Sequence, residues 1–200
     1  NISLTSNPVP SEAVLTKYGH ELLKILLQSV RNGGLTIGSQ ICKLKQYCPT
    51  AYLFSLYHTR ETAFLDSSLT NKYGNYSIIG LYSYLKAEET DGILKVNGTI
   101  QKESFLDFLN QYLKKHKEEN PTNLPMLGGA IGYLSYDYGR SFEQIQAHKK
   151  KISMPDAMFE FFDLYLIEDL KKKELYLSTS EHFHTLEEYK TEIMQDILTL

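Results

Sequence analysis

Two stretches of this chain carry residue types that could do chemistry. In the first, Asp66 and Ser67 follow the apolar pair Phe64-Leu65, and a polar loop leads on to Tyr73-Gly74-Asn75-Tyr76. A carboxylate beside a hydroxyl can hold an ammonium group. The same pair can instead satisfy the backbone of the loop from Leu69 to Lys72, which is the commoner use of such residues. The second stretch is Gly128-Gly129-Ala-Ile-Gly132-Tyr133-Leu-Ser-Tyr136-Asp137-Tyr-Gly139-Arg140-Ser-Phe-Glu143. As a strand it places Ile131, Tyr133 and Ser135 on one face and Gly132, Leu134 and Tyr136 on the other. Glycines inside a strand mark a bulge, or a place where a backbone or a ligand comes close. Asp137, Arg140 and Glu143, three apart, line one side of a helical turn. Structural reasons alone make this a crowded buried strand running into an ion-paired turn, with a ligand site as the alternative. It is not a phosphate loop, because no Gly-Lys-Ser/Thr follows the glycines.

Other chemistries find little support. The six histidines are scattered, and His182 and His184, which flank Phe183, have no cluster of carboxylates and histidines around them, so no metal set is expected. Cys42 and Cys48 form a Cys-x5-Cys pair without a nearby histidine and read as reduced packing residues. No Ser-His-Asp set can be proposed from order or spacing. The net charge of −3 argues against a nucleic-acid binder. No apolar run approaches the length of a membrane span, and the polar stretch from Asn1 to Pro10 lacks a signal core, so a cytoplasmic protein is expected.

The elements that must position these residues follow from periodicity. Residues 1–10 read as an extended arm. Leu15, Tyr18, Leu22, Ile25, Leu26 and Val30 recur at helical spacing, and Asn32-Gly33-Gly34 stops that segment. A strand is expected near 37–45, whereas Ala51–Tyr57 fits helix or strand equally. A short strand follows at 62–68 and a long one at 76–88. Thr90-Asp91-Gly92 is a turn, 93–96 a strand, Asn97-Gly98 a type I′ hairpin signal, and 99–101 the return. A helix spans 103–118, with Phe105, Leu109, Tyr112 and Leu113 buried and cations in its last turns. Residues 141–153 read as a polar loop. Ala157–Ile167 is a long aromatic strand, Lys171-Lys172-Lys173 a turn and 175–178 its hairpin partner. A final helix covers 181–200, with Leu186, Tyr189, Ile193, Ile197 and Leu198 on its buried face; it reads as leading on into a longer protein. Antiparallel hairpins with helices between them predict an α+β fold of antiparallel β-sheets, hairpins and a meander, with flanking helices, in one domain over 1–200. The composition, 42% hydrophobic and 22% charged, is ordinary for a globular domain.

The glycine-tyrosine stretch resembles the Gly-Gly-x-x-Gly-Tyr-x-x-Tyr-Asp-x-x-Arg-x-x-Glu signature of component I of the anthranilate synthase and aminodeoxychorismate synthase family, in its N-terminal domain. The matching positions are Gly128, Gly129, Gly132, Tyr133, Tyr136, Asp137, Arg140 and Glu143. Asp66-Ser67 and Tyr73–Gly80 resemble that family's Leu-Leu-Glu-Ser and Gly-Arg-Tyr-Ser-Ile-Ile-Gly segments. Met154-Pro155-Asp156, with Phe159–Asp163 and Leu175-Tyr-Leu, resembles the strand pair that closes the domain.

The resemblance implies an L-tryptophan pocket using Asp66, Ser67, Tyr73, Gly74, Asn75 and Tyr76. Asp66 stands where glutamate is usual and Asn75 where arginine is usual. The shorter carboxylate reaches less far and the lost guanidinium removes a strong carboxylate partner, so both count against tight binding. The resemblance further implies a large C-terminal domain that holds chorismate and Mg2+, absent from these 200 residues, and a separate glutamine amidotransferase, component II, that supplies ammonia. No catalytic residue and no cofactor is expected in this chain, which alone should be inactive. Ser135–Arg140 and Leu65–Ser67 look more like the aminodeoxychorismate branch, which serves p-aminobenzoate and folate, than the anthranilate branch. A stand-alone small-molecule sensor or interaction domain is the reading from a different class.

Overall fold

The structure, a computed structural model, describes residues 39–58, 61–68, 74–136, 138–139 and 154–200. The helix expected over residues 11–33, Tyr73, the Asp137/Arg140/Glu143 side of the signature and the loop expected over 141–153 lie outside the described residues.

Among the described residues eight strands form one sheet: β1 (Gln40–Lys43), β2 (Thr62–Leu65), β3 (Tyr76–Thr90), β4 (Ile93–Val96), β5 (Thr99–Ile100), β6 (Ala130–Leu134), β7 (Ala157–Asp169) and β8 (Glu174–Thr179). Among the described residues three helices flank it: α1 (Thr50–Tyr57), α2 (Phe105–Lys115) and α3 (Leu186–Thr199). The sheet runs β1-β8-β7-β3-β4-β5, with β2 also on β3 and β6 also on β7, and every pairing is antiparallel. The expected α+β fold of antiparallel hairpins and flanking helices is the one observed.

Two long strands hold the sheet together. β3 and β7 pair from Tyr76↔Asp169 to Glu89↔Ala157. Along its other edge β3 carries β2 over Ile78–Leu81 and β4 over Ala87–Thr90. β7 likewise carries β8 over Leu164–Asp169 and β6 over Ala157–Phe161. The sheet therefore has two halves, joined where Tyr82 adopts φ +60° and the register shifts between Ser83 and Leu85. A bulge of this kind bends a strand and raises its twist.

Alternation along β3 and β7 feeds two faces. Ile79, Leu81, Leu164 and Leu166 meet Leu53 and Tyr57 of α1 and Tyr189, Ile193 and Ile197 of α3. Ile78, Tyr165 and Ile167 point the other way, under Leu124, Leu127 and Ile131. This is why β7 reads as an almost unbroken apolar run: both its faces are covered. In the other half, Phe105, Leu109 and Leu113 of α2 pack on Ala87, Leu94, Phe159 and Phe161. Each fully buried side chain of this size contributes about 1.5–3 kcal/mol.

The helices differ from their sequence limits because of how their first turns are capped. Residues 50–57, ambiguous by periodicity, are helical. No side chain at the preceding Pro49 caps α1; instead the buried Glu168 of β7 accepts from the Thr50 N–H at 2.8 Å, the Thr50 hydroxyl at 2.6 Å and the Tyr47 hydroxyl at 2.5 Å. A carboxylate at a helix start satisfies an otherwise orphaned N–H and suits the positive end of the dipole. Glu168→Gln is expected to lower stability by about 1–2 kcal/mol in urea denaturation, with α1 the first element to lose amide protection. α3 starts at Leu186, not Glu181, because a capping box of Thr185 and Glu188 sets its first turn. Leu198 is exposed and lies off the buried stripe. α2 starts after Ser104, which accepts from the Asp107 N–H, and its Tyr112 is only half-buried. The Asn97-Gly98 hairpin forms as expected, with φ +47° and +77° as a type I′ turn requires.

Candidate functional site

The end of β2 and the start of β3 form a tight polar knot. The Ser77 hydroxyl, fully buried, donates to Asp66 Oδ1 at 3.0 Å and accepts from the Ser67 N–H at 3.0 Å. The Ser67 hydroxyl donates to the Tyr76 carbonyl at 2.6 Å. Asp66, through the Ser77 hydroxyl, and Ser67, through the Tyr76 carbonyl, thus fasten the end of β2 to β3. Gly74, Asn75 and Tyr76 are half-buried beside them, and the Asn75 carbonyl accepts from the Leu170 N–H at 3.0 Å. Of the six residues expected to form an amino-acid pocket, the structure brings Asp66, Ser67 and Tyr76 into one hydrogen-bonded group, with Gly74 and Asn75 adjoining.

The glycine-tyrosine stretch lies elsewhere. Its strand, β6, pairs with the opposite end of β7: Gly132 faces Phe159, whereas Tyr76 faces Asp169. Ten residues of β7 separate these positions, about 30 Å at the usual rise. The segment leading into β6 spans the distance. Tyr76 Oη reaches the Asn123 carbonyl at 3.5 Å, and Leu124 and Leu127 pack against Ile78. Two side chains then strap the segment to the sheet. The Ser178 hydroxyl donates to the Leu127 carbonyl at 2.5 Å, and the Tyr165 hydroxyl donates to the Gly129 carbonyl at 2.6 Å while accepting from the Phe162 N–H at 3.1 Å. Burial pushes the Tyr165 phenol well above its ordinary pKa, so it keeps the proton it donates. Gly129 has φ +142°, which a side chain rarely adopts. Tyr165→Phe would leave that carbonyl without its donor; a loss of about 1–2 kcal/mol is expected, read by thermal or urea unfolding, with faster exchange of the amides around Gly129.

Gly132 answers the question left open by the sequence. A Cβ there would lie 2.0 Å from the Met158 carbonyl oxygen and 2.7 Å from Phe159 Cα. The close approach is that of the neighbouring strand's backbone. Beyond β6 the chain is fastened again. Asp156 accepts from the Ser135 N–H through its carbonyl at 2.7 Å and from the Asp91 N–H through Oδ2 at 2.9 Å. Ser135 also caps the turn that follows, accepting from the Tyr138 N–H at 3.1 Å. Tyr133 is half-buried, with its hydroxyl 3.3 Å from the Pro155 carbonyl. Tyr138 is buried against Phe105, whereas Tyr136 is 68% exposed. Nearby, burial raises the Glu89 carboxyl, the Phe105 N–H opposes that shift, and the Asp156 charge adds to it.

The most elaborate polar centre was not visible as a motif. Asp163, fully buried in β7, accepts from the Ser180 hydroxyl at 2.9 Å, the His182 N–H at 2.8 Å, the Phe183 N–H at 2.9 Å and the Tyr189 hydroxyl at 2.7 Å. Ser180 Oγ also lies 2.8 Å from His182 Nδ1. Serine, histidine and aspartate do meet here, but not as a nucleophile and its base. The one hydroxyl proton of Ser180 goes to Asp163, so His182 Nδ1 must be the donor to Ser180. The cluster pins the β8–α3 connection to the sheet. The signal in the sequence was a single acid inside Phe161-Phe-Asp163-Leu-Tyr165, a polar residue in an apolar run. Among the described residues no group of three or more His, Cys, Asp or Glu side chains is placed to hold a metal ion, and no helix is long and apolar enough to cross a membrane.

The fold has a known counterpart. Anthranilate synthase component I from Streptococcus pneumoniae superposes with a TM-score of 0.53 over 72% of this chain and 34% of its own, at 24% identity, a likeness of fold. The chorismate binding enzyme family matches residues 61–197. The chain belongs to that family. Its relatives include anthranilate synthase component 1 of Acetivibrio thermocellus, 28% identical over 65% of this chain, and of Bacillus caldotenax, 31% over 58%. Aminodeoxychorismate synthase component 1 of Klebsiella aerogenes is 41% identical over 28% of this chain. The matches cover only 28%, 25% and 12% of those three proteins. The anthranilate matches are as strong as the aminodeoxychorismate ones.

Proposed function

We propose that this chain is the N-terminal domain of a component I synthase that aminates chorismate, with the aminodeoxychorismate branch, serving p-aminobenzoate and folate, as the specific reading. In that role it completes the scaffold around a C-terminal domain that binds chorismate and Mg2+, and helps dock a glutamine amidotransferase. No catalytic residue is assigned to it. The observation that carries the reading is the family match over 61–197 together with the strapped Leu127–Gly129 segment, which delivers the signature strand to one end of the sheet. The pocket residues Asp66, Ser67, Tyr73, Gly74, Asn75 and Tyr76 are proposed to receive an amino acid, with tryptophan bound weakly. The greater length matched in anthranilate synthases favours the second reading, the same domain in tryptophan synthesis with feedback binding.

The test has two parts. An antibody to this chain should detect a native product more than twice its mass. That product, given chorismate and ammonia, should form the p-aminobenzoate-pathway intermediate. Formation of anthranilate, with a large tryptophan-induced rise in melting temperature, would select the second reading. A native band at the mass of this chain, with neither product formed, would overturn both in favour of a free-standing binding domain.

A further inference from the structure

The junction of the two sheet halves contains a half-open pocket of about 280 Å³ lined by Glu61, Thr62, Leu81, Tyr82, Ser83 and Phe183. It lies at the start of β2, opposite Leu81, whereas Asp66 and Ser67 lie beyond the other end of that strand. Its position follows from topology. β2 covers the outer edge of β3 up to Leu81, and β4 resumes at Ala87. Between them, the Asn97 side chain bonds the Lys86 N–H and the Tyr84 carbonyl. No strand covers Tyr82 and Ser83 on that edge among the described residues.

Two further observations point to a ligand. Tyr82 holds φ +60° in the middle of the longest strand, a conformation that bulky residues adopt rarely and that gathers at binding sites. Phe183 leaves its ring 54% exposed although its backbone N–H is fixed on the buried Asp163. An aromatic ring is thus held at the pocket rim by a rigid anchor.

We propose that this pocket binds a small primary ammonium compound with an aromatic or branched apolar body, of roughly nine to fifteen non-hydrogen atoms. The apolar part sits against the Phe183 ring, beside Tyr82, whose hydroxyl is held by Glu192 at 2.5 Å. The ammonium faces the Glu61 carboxylate and the hydroxyls of Thr62 and Ser83. Among the described residues Glu61 is the only charged one of the lining, and aromatic faces attract cations. Among the described residues the cation whose charge Glu61 feels, Lys86, is already engaged by Glu160 at 3.4 Å and Glu88 at 3.7 Å, which disfavours an anion there. A peptide strand cannot add to an edge gap this short. The proposal is independent of the chorismate reading, and its failure would leave that reading intact.

The experiment is an NMR titration of the full chain at pH 8 with 2-phenylethylammonium, compared with 3-phenylpropionate, a carboxylate of similar shape. The ammonium should give saturable shifts at the Thr62, Ser83 and Phe183 amides and bind at least about tenfold more tightly than the carboxylate. Glu61→Gln, at an exposed position, should remove that preference. Phe183→Ala should weaken both probes while the preference for the ammonium stays. Absence of saturation by about 10 mM, equal binding of the two probes, or an unchanged preference in Glu61→Gln would each overturn the proposal.

Discussion

Replacing Asp163 with alanine should lower the stability of the chain by about 3–5 kcal/mol in urea denaturation. The side chain is fully buried, and four donors from residues 180 to 189 end on it. Alanine would leave two backbone N–H groups and two hydroxyls without their acceptor, and each such group costs about 1–3 kcal/mol where water does not replace it. Natural domains hold only about 5–15 kcal/mol in total, so a large fraction of the variant should be unfolded at moderate temperature. Ser180→Ala, which removes one donor and leaves the acceptor satisfied by the rest, should cost only about 1 kcal/mol.

The Asp163 effect also has a pH signature. Burial by itself pushes the carboxyl up, but the N–H groups of His182 and Phe183 and the hydroxyls of Tyr189 and Ser180 outweigh it and hold the group below the usual carboxylate range. A carboxyl whose pKa is lower folded than unfolded stabilises fully above the unfolded value and loses that contribution as pH falls through the folded one. The stability gap between the native chain and Asp163→Ala should therefore be flat near neutrality and narrow below about pH 4. A gap that stayed constant down to pH 2 would mean that Asp163 acts through packing alone.

Gly132→Ala is the second large effect. The added Cβ would meet the carbonyl oxygen and Cα of the partner strand, at 2.0 and 2.7 Å, and neither atom can rotate away. β6 must lift from β7 or the ladder must shift. A loss of about 2–4 kcal/mol is expected, with the Ala130–Leu134 amides losing exchange protection before the rest of the sheet. Gly139 is the control. A Cβ there meets nothing within 4 Å, so Gly139→Ala should change stability by no more than about 0.5 kcal/mol. Equal effects at the two glycines would show that the crowding at Gly132 is relieved by a small backbone movement.

These two sites mark what the sequence could and could not reveal. Period-two alternation located β2, β3 and β4, and Asn97-Gly98 marked the β4–β5 hairpin, because those signals act within a few residues. The glycines of β6 announced a close approach, though not which backbone approached. Ala51–Tyr57 stayed ambiguous because its helical start depends on Glu168, more than a hundred residues away. For the same reason Asp163 gave no motif: its donors arrive from α3 and the segment between β8 and α3, and only the folded sheet assembles them. Asp66 and Ser67 were seen as a pair, but their partner Ser77 reads as one more polar position in an alternating strand.

The central ladder also determines when the fold can form. Tyr76 pairs with Asp169, and Leu81 with Leu164, so the contacts that unite the sheet are among the most distant in the chain. High contact order of this kind slows folding, because the connecting chain must close before any contact rewards it. During synthesis β3 can pair early with β2 and β4 on one edge, while its other edge waits for β7 to emerge. An apolar strand with an open edge is a template for wrong partners. The newly made first half of this chain is therefore the species most in need of a chaperone.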